Sequence, residues 1–305
     1  MMTKTYLTFF GLKDEPFRLT PDTRYFFPSE AHKGVLEVLD YGLRTQEGFL
    51  VLTGEPGTGK TMLLRLLLKG LSPEVESAVI LTPTLYPKEL IEAILDDLGL
   101  PYDPNSSKEW LLRTFKDYLL AKAVEGKSLV VIIDEAQNLP EESLEELRLL
   151  SNLELDDRKL IQIILAGQPP LLEKLTSENL TQLAQRISIW ETVTPLKPDE
   201  ILSYVNFRLF KASGTLIYFA PRCEKILYEI TQGLPRLINK IMDRVLLVAA
   251  SKGEKKITPL LIIEAAETFG PLFENSHKPS MKERLLRRLP LSYFNYGFLC
   301  AKLGF

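Results

Sequence analysis

The sequence predicts an α/β fold in which a five-stranded parallel sheet flanked by helices precedes a small all-helical domain. Two observations support this prediction. Five short, near-continuous apolar runs alternate with amphipathic helical stretches, and after residue 198 only helical periodicity remains. Apolar runs without alternation are typical of strands covered on both faces, and their alternation with helices indicates parallel pairing.

The elements follow in order along the chain. The predicted strands are residues 49–53, 78–81, 129–133, 160–165 and 187–190, and the helices between them are 60–70, 88–98, 107–125 and 141–151. A short helical pattern at 30–45 precedes the first strand. The helical domain has pieces at 199–213, 221–231, 235–251 and 258–268, separated by Gly214, Gly233 and Gly253.

These elements predict four segments. Residues 1–48 form an N-terminal segment that leads into the sheet domain, which covers 49–196. Residues 197–270 form the helical domain, and 271–305 form a basic and aromatic C-terminal tail. No internal repeat is present in the sequence.

The composition is that of an ordinary globular protein, with 45% hydrophobic and 25% charged residues in a chain of 305. The net charge of −3 argues against nucleic acid as the main partner without excluding it. Two cysteines and two histidines are too few for a metal site of the His/Cys type. Since the first residues lack the apolar core of a signal peptide, we expect a cytoplasmic location.

The tail differs in charge from the acidic remainder of the chain. Its basic residues are opposed after residue 277 by Glu283 alone, and aromatic residues follow them; the basic residues are Lys278, Lys282, Arg284, Arg287, Arg288 and Lys302. Residues 289–305 are too short and too polar to span a bilayer. Two interpretations remain open: peripheral contact with the inner face of the membrane, or packing of the tail on protein.

A glycine-rich segment follows the first predicted strand and opens the next helix. It has the pattern Gly-x-x-x-x-Gly-Lys-Thr of a phosphate-binding loop. Backbone N–H groups and the helix N-terminus would surround the phosphates, Lys60 would reach the β- and γ-phosphates, and the Thr61 hydroxyl would ligate Mg²⁺. The predicted ATP-binding residues are Gly54, Glu55, Pro56, Gly57, Thr58, Gly59, Lys60, Thr61 and Met62.

An acidic pair ends the third predicted strand. A carboxylate at a strand tip beside the phosphate-binding loop can hold Mg²⁺, and a second one can polarise the attacking water. The sequence therefore predicts Asp134 as the metal partner and Glu135 as the general base. An acidic cap of the following helix is the alternative interpretation of this pair.

Together these motifs resemble those of AAA+ ATPases and, more specifically, of the general secretion pathway protein A (ExeA-type) family. The resemblance covers about residues 6–268. Its quoted segments are Phe10-Gly11-Leu12-Lys13-Asp14-Glu15-Pro16-Phe17-Arg18-Leu19-Thr20-Pro21-Asp22, Tyr41-Gly42-Leu43 with Gly48-Phe49, Asp134-Glu135-Ala136-Gln137-Asn138-Leu139, Ser151-Asn152-Leu153-Glu154 and Gly167-Gln168-Pro169. The N-terminal segment is specific to the family, whereas the nucleotide motifs are shared more widely.

The resemblance implies three further site residues. Gln168 would sense the γ-phosphate from the end of the fourth strand, unless it is only a turn residue. Arg236, in Gly233-Leu234-Pro235-Arg236, would be a second sensor in the helical lid, unless it is a surface arginine. Arg186 would be the arginine finger donated to a neighbouring subunit, with Arg158 as the rival.

The resemblance also implies the function. We expect Mg²⁺-dependent ATP hydrolysis by a homo-oligomer that drives or regulates the assembly of a secretion, pilus or envelope-polysaccharide machine, whose protein components are its partners. The alternative is a DNA-binding ATP-dependent regulator similar to transposition ATPases. The acidic charge of the chain before the tail weighs against that alternative.

Overall fold

The structure, a computed structural model, describes residues 5–81, 84–155, 158–213 and 216–269. Internal contacts group these residues into two compact units. One unit consists of residues 28–194, and the other combines the described residues up to 27 with those from 195 onward. The tail that the sequence predicts at 271–305 lies outside the described residues.

The sheet belongs to the first unit and consists of five parallel strands in the order β2-β3-β4-β1-β5. These strands are β1 Phe49–Gly54, β2 Val75–Ile80, β3 Ser128–Ile133, β4 Ile161–Gly167 and β5 Ile187–Val193. The α/β class and the five strands are as predicted. Because the sheet is parallel, the segments that follow β1, β3 and β4 lie together at the carboxyl ends of the strands.

The first helix of the described chain, α1 Thr5–Phe10, belongs to the other unit. Six helices belong to the unit of the sheet: α2 Glu30–Arg44, α3 Lys60–Gly70, α4 Pro87–Asp97, α5 Lys108–Val124, α6 Glu141–Leu150 and α7 Pro169–Leu175. A one-turn helix, α8 Thr181–Ala184, precedes β5. Buried side chains of α4, α5 and α6 pack with those of β3 and β4 in one apolar core.

Helix α2 lies close to the sheet at Gly42. A Cβ atom at this position would lie 2.4 Å from Ile189 Cδ1 and 2.8 Å from Leu50 Cδ2. The absence of a side chain therefore lets α2 approach β1 and β5. The other end of the helix is capped by Ser29, whose side chain accepts a hydrogen bond from His32 N.

The second unit is helical and has its own core. Its remaining helices are α9 Ile201–Ser213, α10 Cys223–Thr231, α11 Pro235–Lys252 and α12 Pro259–Glu267. Aromatic side chains from the start of the chain are buried in this core, among them Tyr6, Phe17 and Tyr25. Arg208 Nε also donates a hydrogen bond to Pro16 O at 2.5 Å.

The N-terminal segment is therefore arranged differently from the prediction that residues 1–48 lead into the sheet domain. Its described residues up to Phe27 group with the helical unit, and those from Pro28 onward group with the sheet. The reason is the burial of the N-terminal aromatic side chains among the helices, a long-range contact that a local pattern does not show.

The strand predictions differ from the structure mainly at the two edges of the sheet. Strand β2 begins at Val75, three residues before the predicted start. The prediction missed these residues because the first half of the strand is only partly buried and is not continuously apolar. Strand β5 continues to Val193 with alternating exposure. Edge strands lack the continuous apolar run used for the prediction. In the described part of the chain, no helix has the length and apolar character needed to cross a membrane.

Candidate functional site

The glycine-rich loop lies between β1 and α3, as its sequence context predicts. Gly59 immediately precedes α3 and has φ +109°, a conformation that favours glycine. The amide groups that open α3 face away from the helix body, so this end of the helix is suited to an anion such as a phosphate.

Lys60 is buried at the first position of α3. Its Nζ donates hydrogen bonds to Gly54 O at 2.7 Å and to Glu55 O at 3.2 Å, which holds the ammonium group inside the loop. Burial lowers the pKa of this lysine, and the nearby Glu135 and Asp134 carboxylates oppose that change. The loop thus presents a positive charge next to two acidic side chains.

Thr61 and Asp134 meet across the loop and the end of β3. The Thr61 hydroxyl donates to Asp134 Oδ2 at 2.8 Å, and Asp134 itself is buried. Hydroxyl and carboxylate oxygens are the hard ligands that Mg²⁺ prefers. The donor set therefore fits a magnesium ion, with Thr61 and Asp134 as the residues that would hold it.

Glu135 lies at the centre of a small hydrogen-bond network. Its Oε2 accepts from Gln137 Nε2 at 2.7 Å and from Gln168 Nε2 at 2.9 Å. Gln137 Oε1 in turn accepts from the backbone N of Gln168 at 3.0 Å. The two glutamines thereby fix one carboxylate oxygen and connect the ends of β3 and β4.

The backbone and the charge state of Glu135 are both unusual. Its φ of 56° lies in the left-handed region, which costs free energy for a residue with a side chain. Burial raises the pKa of its carboxyl group, but the hydrogen bonds from Gln137 and Gln168 and the charge of Lys60 outweigh that effect, so the pKa is lowered. The carboxylate form is therefore the favoured one near neutral pH.

The two candidate finger arginines, Arg186 and Arg158, precede β5 and β4. They therefore lie at the amino ends of the strands, whereas the glycine-rich loop lies at the carboxyl ends. Arg186 is exposed and its Nη1 donates to Ser151 Oγ at 3.3 Å and to Asn152 Oδ1. Arg158 is only partly exposed, and its Nη2 donates to Ala123 O. Neither arginine lies beside the glycine-rich loop of the same chain.

Arg236 belongs to the helical unit. It lies in the first turn of α11, immediately after Pro235, and is exposed. Within the described residues, its side chain has no hydrogen-bond or ion-pair partner. Gly233 shapes the segment before it, since a Cβ at this left-handed position would lie 2.1 Å from Leu196 O.

The structure thus brings Lys60, Thr61, Asp134, Glu135 and Gln168 together. Within the same unit, Arg186 and Arg158 lie at the other end of the strands, whereas Arg236 belongs to the helical unit. The sequence analysis missed the part played by Gln137, which was noted only within a family segment. Its spacing of two residues from Glu135 becomes informative only once the intervening residues form a 3-10 turn, Ala136–Asn138. His32, which also contacts the loop, had no assigned role.

Comparison with known proteins gives a family and a fold. Residues 43–175 match the AAA domain family. The chain is 44% identical over 252 residues to general secretion pathway protein A of Aeromonas hydrophila, an alignment that covers 83% of this chain and 46% of that protein. The chain therefore spans about half the length of this relative.

Solved structures with a similar fold have lower sequence identity. Cdc6p from Pyrobaculum aerophilum has a TM-score of 0.65 at 20% identity, covering 88% of this chain and 75% of that one. The Aeropyrum pernix ORC2 protein has a TM-score of 0.64 at 18% identity, covering 95% and 83%. These likenesses show the fold alone. With the domain match and the identity to its Aeromonas relative, the chain belongs to the AAA+ ATPases of the general secretion pathway protein A family.

Proposed function

We propose that the chain binds ATP with Mg²⁺ and hydrolyses it to ADP and phosphate. The observation that carries this proposal is the meeting of Lys60, Thr61, Asp134 and Glu135 at one edge of the sheet. Each supplies what phosphoryl transfer needs: a cation for the β- and γ-phosphates, two oxygen ligands for the metal ion, and an ionised carboxylate for the water.

The residues divide the work as follows. The loop amides and Lys60 bind the triphosphate, and Thr61 and Asp134 hold the Mg²⁺, which neutralises charge on the phosphates when bound. Glu135 orients the attacking water and accepts its proton. Gln168, at the end of β4, donates a hydrogen bond to Glu135 Oε2. It is proposed as the γ-phosphate sensor, and this bond connects the sensor to the base.

Turnover is proposed to require a second subunit. Arg186 is exposed at the edge of the sheet opposite the loop, so it is available to a neighbouring nucleotide rather than to its own. Arg158 is a weaker candidate because it is partly buried and bound to Ala123 O. Arg236 is proposed as the lid sensor, for which its exposure and its place in the first turn of α11 are suitable.

The nucleotide cycle is proposed to drive or regulate assembly of a secretion, pilus or envelope-polysaccharide machine. This proposal is supported by the identity to general secretion pathway protein A. Since the chain spans about half of that relative, its partners can be found only by experiment. A pull-down with Glu135→Gln loaded with ATP tests this. Components of such a machine should be enriched over a Lys60→Ala pull-down, and equal recovery would reject a nucleotide-gated partner.

The ATPase proposal is tested with two variants of the site. Lys60→Ala should weaken ATP binding by about 100-fold or more, because a buried charge partner of the phosphates is lost. Glu135→Gln should bind ATP normally and lower kcat by about 10²–10⁴-fold, the usual contribution of a positioned base. Calorimetry measures the first effect and phosphate release measures the second.

Matched controls come from the same unit. Lys116→Ala and Glu142→Gln alter exposed side chains of the same types on α5 and α6. Both should bind and hydrolyse ATP like the wild type. Turnover by Glu135→Gln close to the wild-type rate would reject Glu135 as the base, and wild-type protein that does not bind ATP would reject the proposed function itself.

A further inference from the structure

A buried histidine connects α2 to the glycine-rich loop. His32 has 5% of its surface exposed, and both nitrogens of its ring have close partners. Nε2 lies 2.7 Å from Thr58 O in the loop, and Nδ1 lies 2.6 Å from Ser29 Oγ at the N-cap of α2. The imidazole thus bridges a helix cap and the loop proposed to bind phosphates.

The chemistry of these partners determines the tautomer. A carbonyl oxygen only accepts hydrogen bonds, so Nε2 must carry the proton and donate to Thr58 O. In a neutral ring Nδ1 is then an acceptor, which the Ser29 hydroxyl satisfies as donor. The same hydroxyl accepts from His32 N at 3.3 Å, so its donor and acceptor roles are compatible.

The contact lies where the loop turns into α3. A Cβ atom on Gly59 would lie 3.1 Å from His32 Nε2, so the ring packs against the backbone just before Lys60. On the other side, Thr58 Oγ1 donates to Glu55 O at 2.8 Å. Thr58 is therefore held by its carbonyl from α2 and by its hydroxyl from within the loop.

We propose that His32 is a positioning residue that holds the glycine-rich loop in its phosphate-binding shape, with Ser29 fixing the ring tautomer that does so. The inference rests on the proposed ATP binding. Without the Nε2–H donor, the buried Thr58 carbonyl would lack this partner, and the loop would relax to find another. A relaxed loop binds phosphates less well because it must be ordered on binding.

Two substitutions separate hydrogen bonding from packing. His32→Phe keeps a planar ring but has no donor for Thr58 O, whereas His32→Gln can offer an amide N–H at a similar distance from the backbone. ATP affinity should fall about tenfold in His32→Phe, the order expected for one lost buried hydrogen bond. His32→Gln should stay within about threefold of the wild type.

Val35→Ala is the control for a merely structural role. Val35 is buried on the same face of α2, one turn after His32, so its truncation should lower the melting temperature without changing ATP affinity. Calorimetry on each folded variant gives affinity, and thermal unfolding without nucleotide gives stability. Wild-type protein that binds ATP while His32→Phe binds equally well would overturn the inference and leave the proposed function intact.

A spectroscopic measurement covers the case in which His32→Phe does not fold. His32 and His277 are the two histidines of the chain, so ¹⁵N-histidine labelling gives few ring signals, and His277→Ala assigns them. We expect His32 to carry its proton on Nε2 and its ring shifts to move when ATP binds. A proton on Nδ1 instead, or ring shifts that ATP leaves unchanged, would overturn the inference.

Discussion

The two units of the chain differ in how their candidate site residues are held. In the sheet unit, Lys60, Asp134 and Glu135 are fixed by hydrogen bonds to residues of the same unit. In the helical unit, Arg236 is exposed and lacks a hydrogen-bond or ion-pair partner among the described residues. The roles of Lys60, Asp134 and Glu135 can therefore be interpreted from the sheet unit alone. The role of Arg236 can be defined only with a bound nucleotide or a second protein chain present.

Among the predictions that test this comparison, Arg186→Ala has the largest expected effect and challenges the comparison most directly. Arg186 belongs to the sheet unit but is proposed to act on a neighbour. Arg186→Ala should bind ATP normally and lose about 10³-fold in kcat, as for fingers supplied from another protein. Arg158→Ala is the matched control and should keep the wild-type rate, although the loss of its contact with Ala123 O can lower stability.

Mixing variants tests whether the finger acts between subunits. Arg186→Ala retains Lys60, and Lys60→Ala retains Arg186, so a mixed oligomer contains some complete sites. Phosphate release should therefore reappear in the mixture and increase with protein concentration. A wild-type rate per subunit that is independent of concentration would contradict the proposal.

The sequence predicted the central part of this arrangement better than its edges. Strands β1, β3 and β4 are buried along almost their whole length, and their apolar runs matched the predicted positions within one or two residues. The predicted position of the edge strand β2 began three residues too late because Glu76 and Ser77 interrupt its apolar pattern. Helices α7 and α8 were missed since they are too short to show helical periodicity.

The same distinction holds within the candidate site. Lys60 and Thr61 belong to one contiguous motif, so a local pattern was enough to name them and the strand beside them. Gln137 depends on a 3-10 turn and on the left-handed backbone of Glu135, which bring its side chain to a carboxylate two residues away. Such a contact follows from backbone geometry that residue types alone do not specify.

A stability measurement sharpens the comparison from the helical unit. Gly233 has φ +73°, and an added Cβ would lie 2.1 Å from Leu196 O. Leu196 N also donates to Gly233 O at 2.9 Å, so the two segments cannot separate freely. Gly233→Ala should lower the free energy of unfolding by about 2 kcal/mol or more, from left-handed strain and the clash.

Gly253→Ala is the matched control for that experiment. It also has a left-handed φ, +72°, but a Cβ there meets nothing within 4 Å. Its cost should be limited to the backbone conformation, about 1–2 kcal/mol. Urea unfolding of both variants measures the difference, and equal losses would show that the contact with Leu196 adds nothing.

The smallest expected effect concerns Gln137, which contacts the proposed base Glu135 without being part of a nucleotide motif. Its Nε2 donates to Glu135 Oε2 at 2.7 Å, and this bond is one of the causes that lower the pKa of Glu135. Gln137→Leu removes the donor, so the pKa of Glu135 should rise and the acid limb of the kcat/KM profile should move to higher pH. At neutral pH we expect about a tenfold loss of kcat, because the remaining bond from Gln168 positions the carboxylate less firmly.

Gln137→Glu is not a suitable control since it adds a charge. Asn138→Leu changes an exposed amide in the same turn and should leave both the rate and the pH profile unaltered. An acid limb that stays in place in Gln137→Leu, with kcat reduced, would show that Gln137 orients Glu135 without setting its pKa. Unchanged kcat as well would remove Gln137 from the site.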